Sequence, residues 1–208
     1  EGDSVVVDAS RRITTDACAE AEVLDPDLVE RWLGHRNDVS ALQGFVSAGY
    51  VVDTLELTTS WSALATVYPQ VRDAIAGVPG VLASSADLSQ SYPGGACLYF
   101  TFGGRPDDDT IAARDAFHRA CWDSGTRIAL GLGASLSHHH GIGLNRARFV
   151  AEALGPGATG VLATLKAALD PAGILNPGKL GLPSRFGPVP SPFSPVPSSF
   201  DPVAEVRR

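Results

Sequence analysis

The chain is defined first by what it does without. Its 208 residues contain no methionine. With no initiator ahead of Glu1, it is expected to be a piece of a longer polypeptide. Its three cysteines, Cys18, Cys97 and Cys121, are odd in number and far apart. Neither a disulfide framework nor a zinc knuckle fits that spacing, and a reducing, cytoplasmic setting is the default. No apolar run approaches the roughly 18 residues that span a bilayer, and no signal peptide is visible. Basic residues are outnumbered 16 to 23, giving a formal charge of −7 and a pI near 5.1. That balance argues against nucleic acid or an anionic membrane as an electrostatic partner. Neither a strand-linked Gly-x-Gly-x-x-Gly nor a Gly-x-x-x-x-Gly-Lys-Ser/Thr occurs. The phosphate grip of any nucleotide cofactor is therefore expected outside these residues.

What is present centres on Gly133-Ala-Ser-Leu-Ser-His-His-His-Gly-Ile-Gly-Leu-Asn145. Imidazole is the side chain most easily set to hold or exchange a proton near neutral pH. Gly141 and Gly143 let backbone approach a ligand without a Cβ in the way. The periodicity predicts a helix over 145–154, whose first N–H groups would face an anion. In an extended segment His138 and His140 share a face and His139 opposes them. His35 and His118 lie elsewhere, so a metal site is not expected.

The rest of the pattern builds a scaffold for that loop. Val5-Val6-Val7 reads as a strand, and Leu28–Leu33 as a short helix started by Asp25-Pro26-Asp27. Tyr50–Thr59 alternates, with Val51, Leu55 and Leu57 on one side and Val52, Thr54, Glu56 and Thr58 on the other. Asp53 falls on the apolar side, where a carboxylate needs hydrogen-bond partners or a cation. A helix is predicted over 61–76, kinked or split at Pro69. Strands follow over 81–92 and 96–102, joined by Pro93-Gly94-Gly95. A helix over 110–124 is expected to end at Gly125, and Arg127–Leu132 to form a fourth strand. The last helix covers 159–169.

Strand, helix, strand, strand, helix, strand is the ferredoxin-like order. The expected fold class is α+β: a four-stranded antiparallel sheet with helices on one face, plus C-terminal helices and a Pro-rich tail. Leu98, Phe100 and Phe102 belong under the helices, which leaves Tyr99 on the uncovered face. Hairpin register decides whether Asp87 and Ser89 join it. Residues 1–27 read as a linker or remnant of an absent N-terminal domain, and 28–182 as the folded unit. Seven of the fifteen prolines lie between Pro183 and Pro202, so 183–208 is expected to be a disordered Pro/Ser-rich tail.

The segment Leu169-Asp-Pro-Ala-Gly-Ile-Leu-Asn-Pro-Gly-Lys-Leu180 ends a helix and adds two turns tipped by Asn176 and Lys179. Asp170-Pro171 with Asn176-Pro177-Gly178-Lys179 resembles the closing signature of FAD-linked oxidases of the vanillyl-alcohol oxidase type. Ser137-His-His-His-Gly-Ile-Gly143 and Ser91-Tyr-Pro-Gly-Gly-Ala-Cys-Leu-Tyr-Phe100 narrow the likeness to the alkyldihydroxyacetonephosphate synthases. The strand Val52-Asp-Thr-Leu-Glu56 before Trp61 fits the same pattern.

The resemblance implies a C-terminal domain that covers the flavin ring of FAD held by an N-terminal FAD-binding domain. It also implies a small-molecule or lipid-like substrate, and is compatible with a homodimer and with a peripheral place at a membrane. Tyr99 would shuttle a proton at the reacting carbon, and His138, His139 and His140 would stabilise departing charge. Asn176 and Lys179 would help position the flavin. The family's substrate-holding arginine has no counterpart in Val39–Gln43; Arg36 is the nearest. An acid, Asp87, stands where a basic residue is common. Three readings stay open: exchange of acyl for alkyl through a flavin adduct, oxidation of a 2-hydroxy acid or similar alcohol, and an inert module that only packs on the flavin domain.

Overall fold

A computed structural model describes residues 2–38 and 40–186. The greater part of the expected tail, residues 187–208, lies outside the described residues. The chain divides into two compact units, Glu1–Ala41 and Leu42–Arg208.

The first unit holds helices α1 (Ser4–Ala17) and α2 (Asp27–His35). Val5–Val7 is therefore helical rather than a strand. Asp3 caps the helix by accepting from the Val5 N–H at 2.9 Å. The backbone groups of this segment are satisfied within that helix.

After α3 (Ser40–Ser47), which starts at the end of the first unit, the elements of the second are β1 (Val51–Ser60), α4 (Trp61–Ala76), β2 (Val81–Tyr92), β3 (Gly95–Gly104), α5 (Ile111–Gly131) and α6 (Val150–Leu169). A 3₁₀ turn, Ala147–Phe149, precedes α6. The sheet is antiparallel with strand order β1-β3-β2. Leu55 and Leu57 of β1 and Leu98, Phe100 and Phe102 of β3 meet Val67, Val71 and Ile75 of α4. Phe117, Cys121 and Trp122 of α5 close the same core. Both packing helices thus cover one face, as the parity of the strands requires.

Among the described residues three strands, not four, make the sheet. Arg127–Gly131 continues α5, which runs 21 residues through Gly125 and is capped by Leu132. That glycine is a close-packing position instead of a stop: a Cβ there would lie 2.9 Å from Ile75 Cδ1 on α4. The place a fourth strand would take beside β1 is held by one residue. Ser135 donates its N–H to the Thr58 carbonyl at 2.8 Å, and its Oγ accepts from the Thr58 N–H at 2.7 Å.

Two further expectations change. α4 runs unsplit through Pro69; the carbonyl that loses its partner belongs to exposed Ala65 and is open to water. The helix predicted over 145–154 begins only at Val150. Arg148 holds the preceding turn by donating to the Asn145 carbonyl and Oδ1, at 2.6 and 2.7 Å.

If Gly125 sets the α4–α5 distance, Gly125→Val forces Ile75 aside and costs about 1–3 kcal/mol by overpacking. Denaturant unfolding of wild type and variant measures this. An unchanged midpoint would mean the two helices do not touch there.

Candidate functional site

Tyr99 is on the uncovered face, in register with Glu56 of β1 on one side and Asp87 of β2 on the other. A bulge between Leu88 and Gln90 absorbs one residue of β2 and leaves Asp87 on the Tyr99 side. The Tyr99 phenol oxygen accepts from Thr54 Oγ1 at 3.1 Å. Its ring centroid lies 5.4 Å from that of His140 and 6.3 Å from that of His139.

What brings the histidines there is Glu56. Its side chain is fully buried although α4 and α5 pack on the opposite face, because the histidine loop folds over it. One carboxylate oxygen accepts from Ser137 Oγ at 2.5 Å and from the His140 N–H at 3.0 Å. The other accepts from the His138 N–H at 2.5 Å. Arg146 Nη2 adds a charged donor at 3.4 Å. Burial pushes the Glu56 carboxyl up, but the Ser137 hydroxyl, the two N–H groups and Arg146 together outweigh it and hold the group below its ordinary 4.5. It is thus an anion at neutral pH, pinning the loop by two of its backbone amides. Gly141, at φ 74°, makes the reversal that follows.

Arg146 is itself buried. It donates to the Gly141 carbonyl at 3.0 Å and lies 4.8 Å above the Trp122 ring. Burial pulls its pKa down, opposed by Glu56, Asp53 and Tyr99. On the helix side Asp53 finds the partners its position demands: His118 Nε2 at 2.6 Å, Trp122 Nε1 at 2.8 Å and the Thr54 N–H at 2.8 Å. Burial raises that carboxyl, and these hydrogen bonds more than reverse the effect.

The three histidines differ in setting. His138 Nε2 meets the Tyr92 hydroxyl at 2.9 Å, and its Nδ1 meets His139 Nδ1 at 2.9 Å. His140 is pulled below its ordinary 6.5, first by burial, with His139 and Arg146 adding to the effect and Glu56 opposing it. Tyr92 and His138 line a cleft of about 580 Å³ at the hairpin end, with Gly94, Gly95 and Ser135.

Donor atoms of Glu56, Cys97, His138 and His139 fall within 4.8 Å of one another, a set that suits zinc by ligand type. Most of its lone pairs are already committed. Both Glu56 oxygens carry protein donors, both His138 nitrogens are engaged, and Arg146 puts a positive charge beside the carboxylate. Burial also pushes the Cys97 thiol up, keeping its proton on.

The remaining predicted positions are Arg36, Asn176 and Lys179. Arg36 belongs to the first unit, where its guanidinium is 5.7 Å above the Trp32 ring. Asn176, at φ 45°, accepts from the Lys179 N–H at 3.3 Å; no hydrogen bond links either residue to the histidine loop. Asp170 organises this segment. Lys166 donates to it, with the Leu175 and Ile174 N–H groups at 2.9 and 3.1 Å. Lys166 first, with those N–H groups, holds its pKa at about 2.

Glu56 and Arg146 were not singled out by sequence reasoning. The available signal was an acid on the Tyr99 side of β1, facing a glycine-flanked loop whose amides need an acceptor.

Residues 4–180 match the family described as FAD linked oxidases, C-terminal domain. The alkyldihydroxyacetonephosphate synthase of Dictyostelium discoideum is 29% identical over 189 residues, covering 86% of this chain and 30% of the synthase. An uncharacterized FAD-linked oxidoreductase, YgcU, of Escherichia coli (strain K12) is 26% identical over 175 residues, covering 77% of this chain and 35% of its own length. A solved structure of an alkyldihydroxyacetonephosphate synthase superposes with a TM-score of 0.52 at 23% identity, over 82% of this chain and 29% of that one. The chain thus spans about a third of the length of these curated relatives.

Glu56→Gln removes the charge but keeps the shape, and places an amide N–H₂ among donors. With Arg146 left unpaired, the loss should be about 3–5 kcal/mol. The pH dependence should change too. The folded carboxyl titrates below its ordinary 4.5, so its stabilisation is full above that value and lost as pH falls through the lower one. Unfolding at pH 7 and pH 4 measures both effects; equal stability of the two proteins at pH 7 would contradict the anchoring role.

Proposed function

The chain belongs to the family of FAD linked oxidases, C-terminal domain, and from that membership we propose that its uncovered sheet face is the substrate-side wall of a FAD-dependent active site. The family is FAD-linked, and the residues fit a planar ring in their character. A half-buried phenol and an imidazole cluster stand on an open face, with Arg146 beneath supplying fixed positive charge. FAD, when bound, supplies the electron-accepting, electrophilic ring.

In this reading Tyr99 holds and returns the proton at the reacting carbon, with Thr54 Oγ1 orienting its oxygen. His139 and His140 stand over Tyr99 and stabilise charge on the departing group. His140, held neutral at pH 7, donates or accepts one hydrogen bond without bringing a charge of its own. His138 orients His139. Asn176, Lys179 and Arg36 are assigned to flavin and substrate contacts by resemblance alone.

The reaction proposed is that of the synthases: exchange of an acyl for an alkyl group on a ketone phosphate, with no net redox change. What supports it is the Tyr99–His139–His140 cluster, its ring centroids 5.4 and 6.3 Å from Tyr99, and the synthase likeness over 86% of the chain. One observation favours a second reading, oxidation of a 2-hydroxy acid or similar alcohol. Asp87 is the direct neighbour of Tyr99 in the sheet, and a carboxylate there disfavours a phosphate-bearing substrate. In either case the remainder of the protein would supply the FAD-binding domain. A homodimer, in the cytoplasm or peripheral at a membrane carrying a lipid substrate, belongs to the proposal.

The full-length, FAD-loaded protein separates the readings. A synthase releases fatty acid from an acylated ketone phosphate when a long-chain alcohol is added, and the flavin ends oxidised. An oxidase bleaches the flavin with a 2-hydroxy acid. Tyr99→Phe should lower kcat by about 10²–10⁴-fold in whichever reaction is found, with the flavin spectrum intact. Full activity in that variant would remove Tyr99 from the chemistry. No activity with either substrate class would favour a module that only packs on its flavin domain.

A further inference from the structure

The imidazole of His138 is engaged at both nitrogens, and its partners lie in opposite directions. Nδ1 faces His139 Nδ1 at 2.9 Å; Nε2 faces the Tyr92 hydroxyl at 2.9 Å. The bridge starts from a fixed backbone, since the His138 N–H is tied to buried Glu56. Tyr92 is fixed from the other side: it ends β2, and its carbonyl accepts from Trp61 Nε1 at 2.8 Å. The far end is open, since Tyr92 is 48% exposed and lines the 580 Å³ cleft at the hairpin end.

We propose that His139, His138 and Tyr92 form a proton wire leading from the Tyr99 site to that cleft, with Tyr92 acting through His138. The inference rests on the site reading above and adds a residue and a route to it.

The argument is one of proton counting. Two Nδ1 atoms in hydrogen-bond contact share a single proton, so one ring donates and the other accepts. Two neutral arrangements satisfy every contact. In the first, His139 carries its proton on Nδ1 and presents a bare Nε2; His138 is protonated on Nε2 and donates to Tyr92. In the second, His138 carries the Nδ1 proton, His139 is protonated on Nε2, and the Tyr92 hydroxyl donates to His138 Nε2. The first becomes the second when a proton enters at His139 Nε2. The His139 Nδ1 proton then passes to His138 Nδ1, the His138 Nε2 proton passes to the Tyr92 oxygen, and the hydroxyl proton leaves to water. One proton enters, one leaves, and no electrons move. A reverse passage, with a proton entering at the Tyr92 oxygen and one leaving at His139 Nε2, restores the start and returns a proton to the site.

The groups facing this wire suit transfer without trapping the proton. Glu56 is committed to four donors, Arg146 lies behind it, Tyr99 and His140 stand beside His139, and Cys97 keeps its proton. A free carboxylate against His138 would hold the proton; Glu56 meets its backbone instead.

Tyr92→Phe in the full-length protein keeps the ring and removes the exit. Turnover should fall about tenfold with KM unchanged. It should then rise with the concentration of a small buffer such as imidazole, while wild type stays independent of buffer. A merely structural role for Tyr92 would give no such rescue. Nitrogen-15 NMR gives a readout apart from turnover: one of the His138 and His139 Nδ1 atoms should be protonated and the other bare, with that pattern shifted in Tyr92→Phe. If Tyr92→Phe turns over like wild type, or loses activity that buffer does not restore, the wire is wrong. If both Nδ1 atoms are protonated, it is wrong as well. Those results would leave the site reading standing wherever Tyr99→Phe is inactive; an active Tyr99→Phe would remove the site reading itself.

Discussion

A carboxylate buried on the side of a sheet opposite its two packing helices sets the terms for everything around it. Left alone, Glu56 would cost several kcal/mol to desolvate. It is tolerated because a loop some eighty residues later brings a hydroxyl, two backbone amides and a guanidinium to it. The dependence runs both ways. A glycine-flanked segment of three histidines has little reason of its own to hold one conformation, and the two amides that Glu56 takes belong to the first and last of them.

The two faces of β1 are linked at its free edge. Asp53 and Glu56 sit three residues apart, so strand parity sends one under the helices and the other to the open face. Asp53 fixes His118 and Trp122 on α5. Arg146 then lies over Trp122 and reaches Glu56, carrying order from the hydrophobic core to the histidine loop. Buried ion pairs of this kind add little net stability compared with an apolar replacement. Their effect here is on geometry: they determine where three imidazoles stand relative to one phenol.

Much of this was legible in the chain. Alternation over Tyr50–Thr59 and Ala96–Phe102 gives the strands and puts Tyr99 on the uncovered side, because period-two burial is a local property. Asp53 was recognisable as a carboxylate in need of partners for the same reason. The failures come from signals with two meanings. Gly125 reads as a helix stop, yet it marks a close helix crossing, which only the presence of Ile75 reveals. Arg127–Leu132 alternates briefly like a strand, but Ile128 and Ala129 are buried as neighbours on a helix. Val5–Val7 has strand propensity, yet its backbone groups are satisfied within α1 behind the Asp3 cap. Asp87 could not be assigned to a face because a bulge, invisible in the sequence, sets its register. Glu56 and Arg146 were missed since their meaning lies in a partner ninety residues away, beyond the reach of any local pattern.

The central claim is that the amides of His138 and His140 are held by a buried carboxylate, and amide hydrogen exchange reads that contact directly. In the full-length protein both N–H groups should exchange orders of magnitude more slowly than in an unfolded peptide, although they lie in a loop. Exchange at the free-peptide rate at either position would mean that Glu56 does not hold the loop, and the ordering of the histidines around Tyr99 would need another cause.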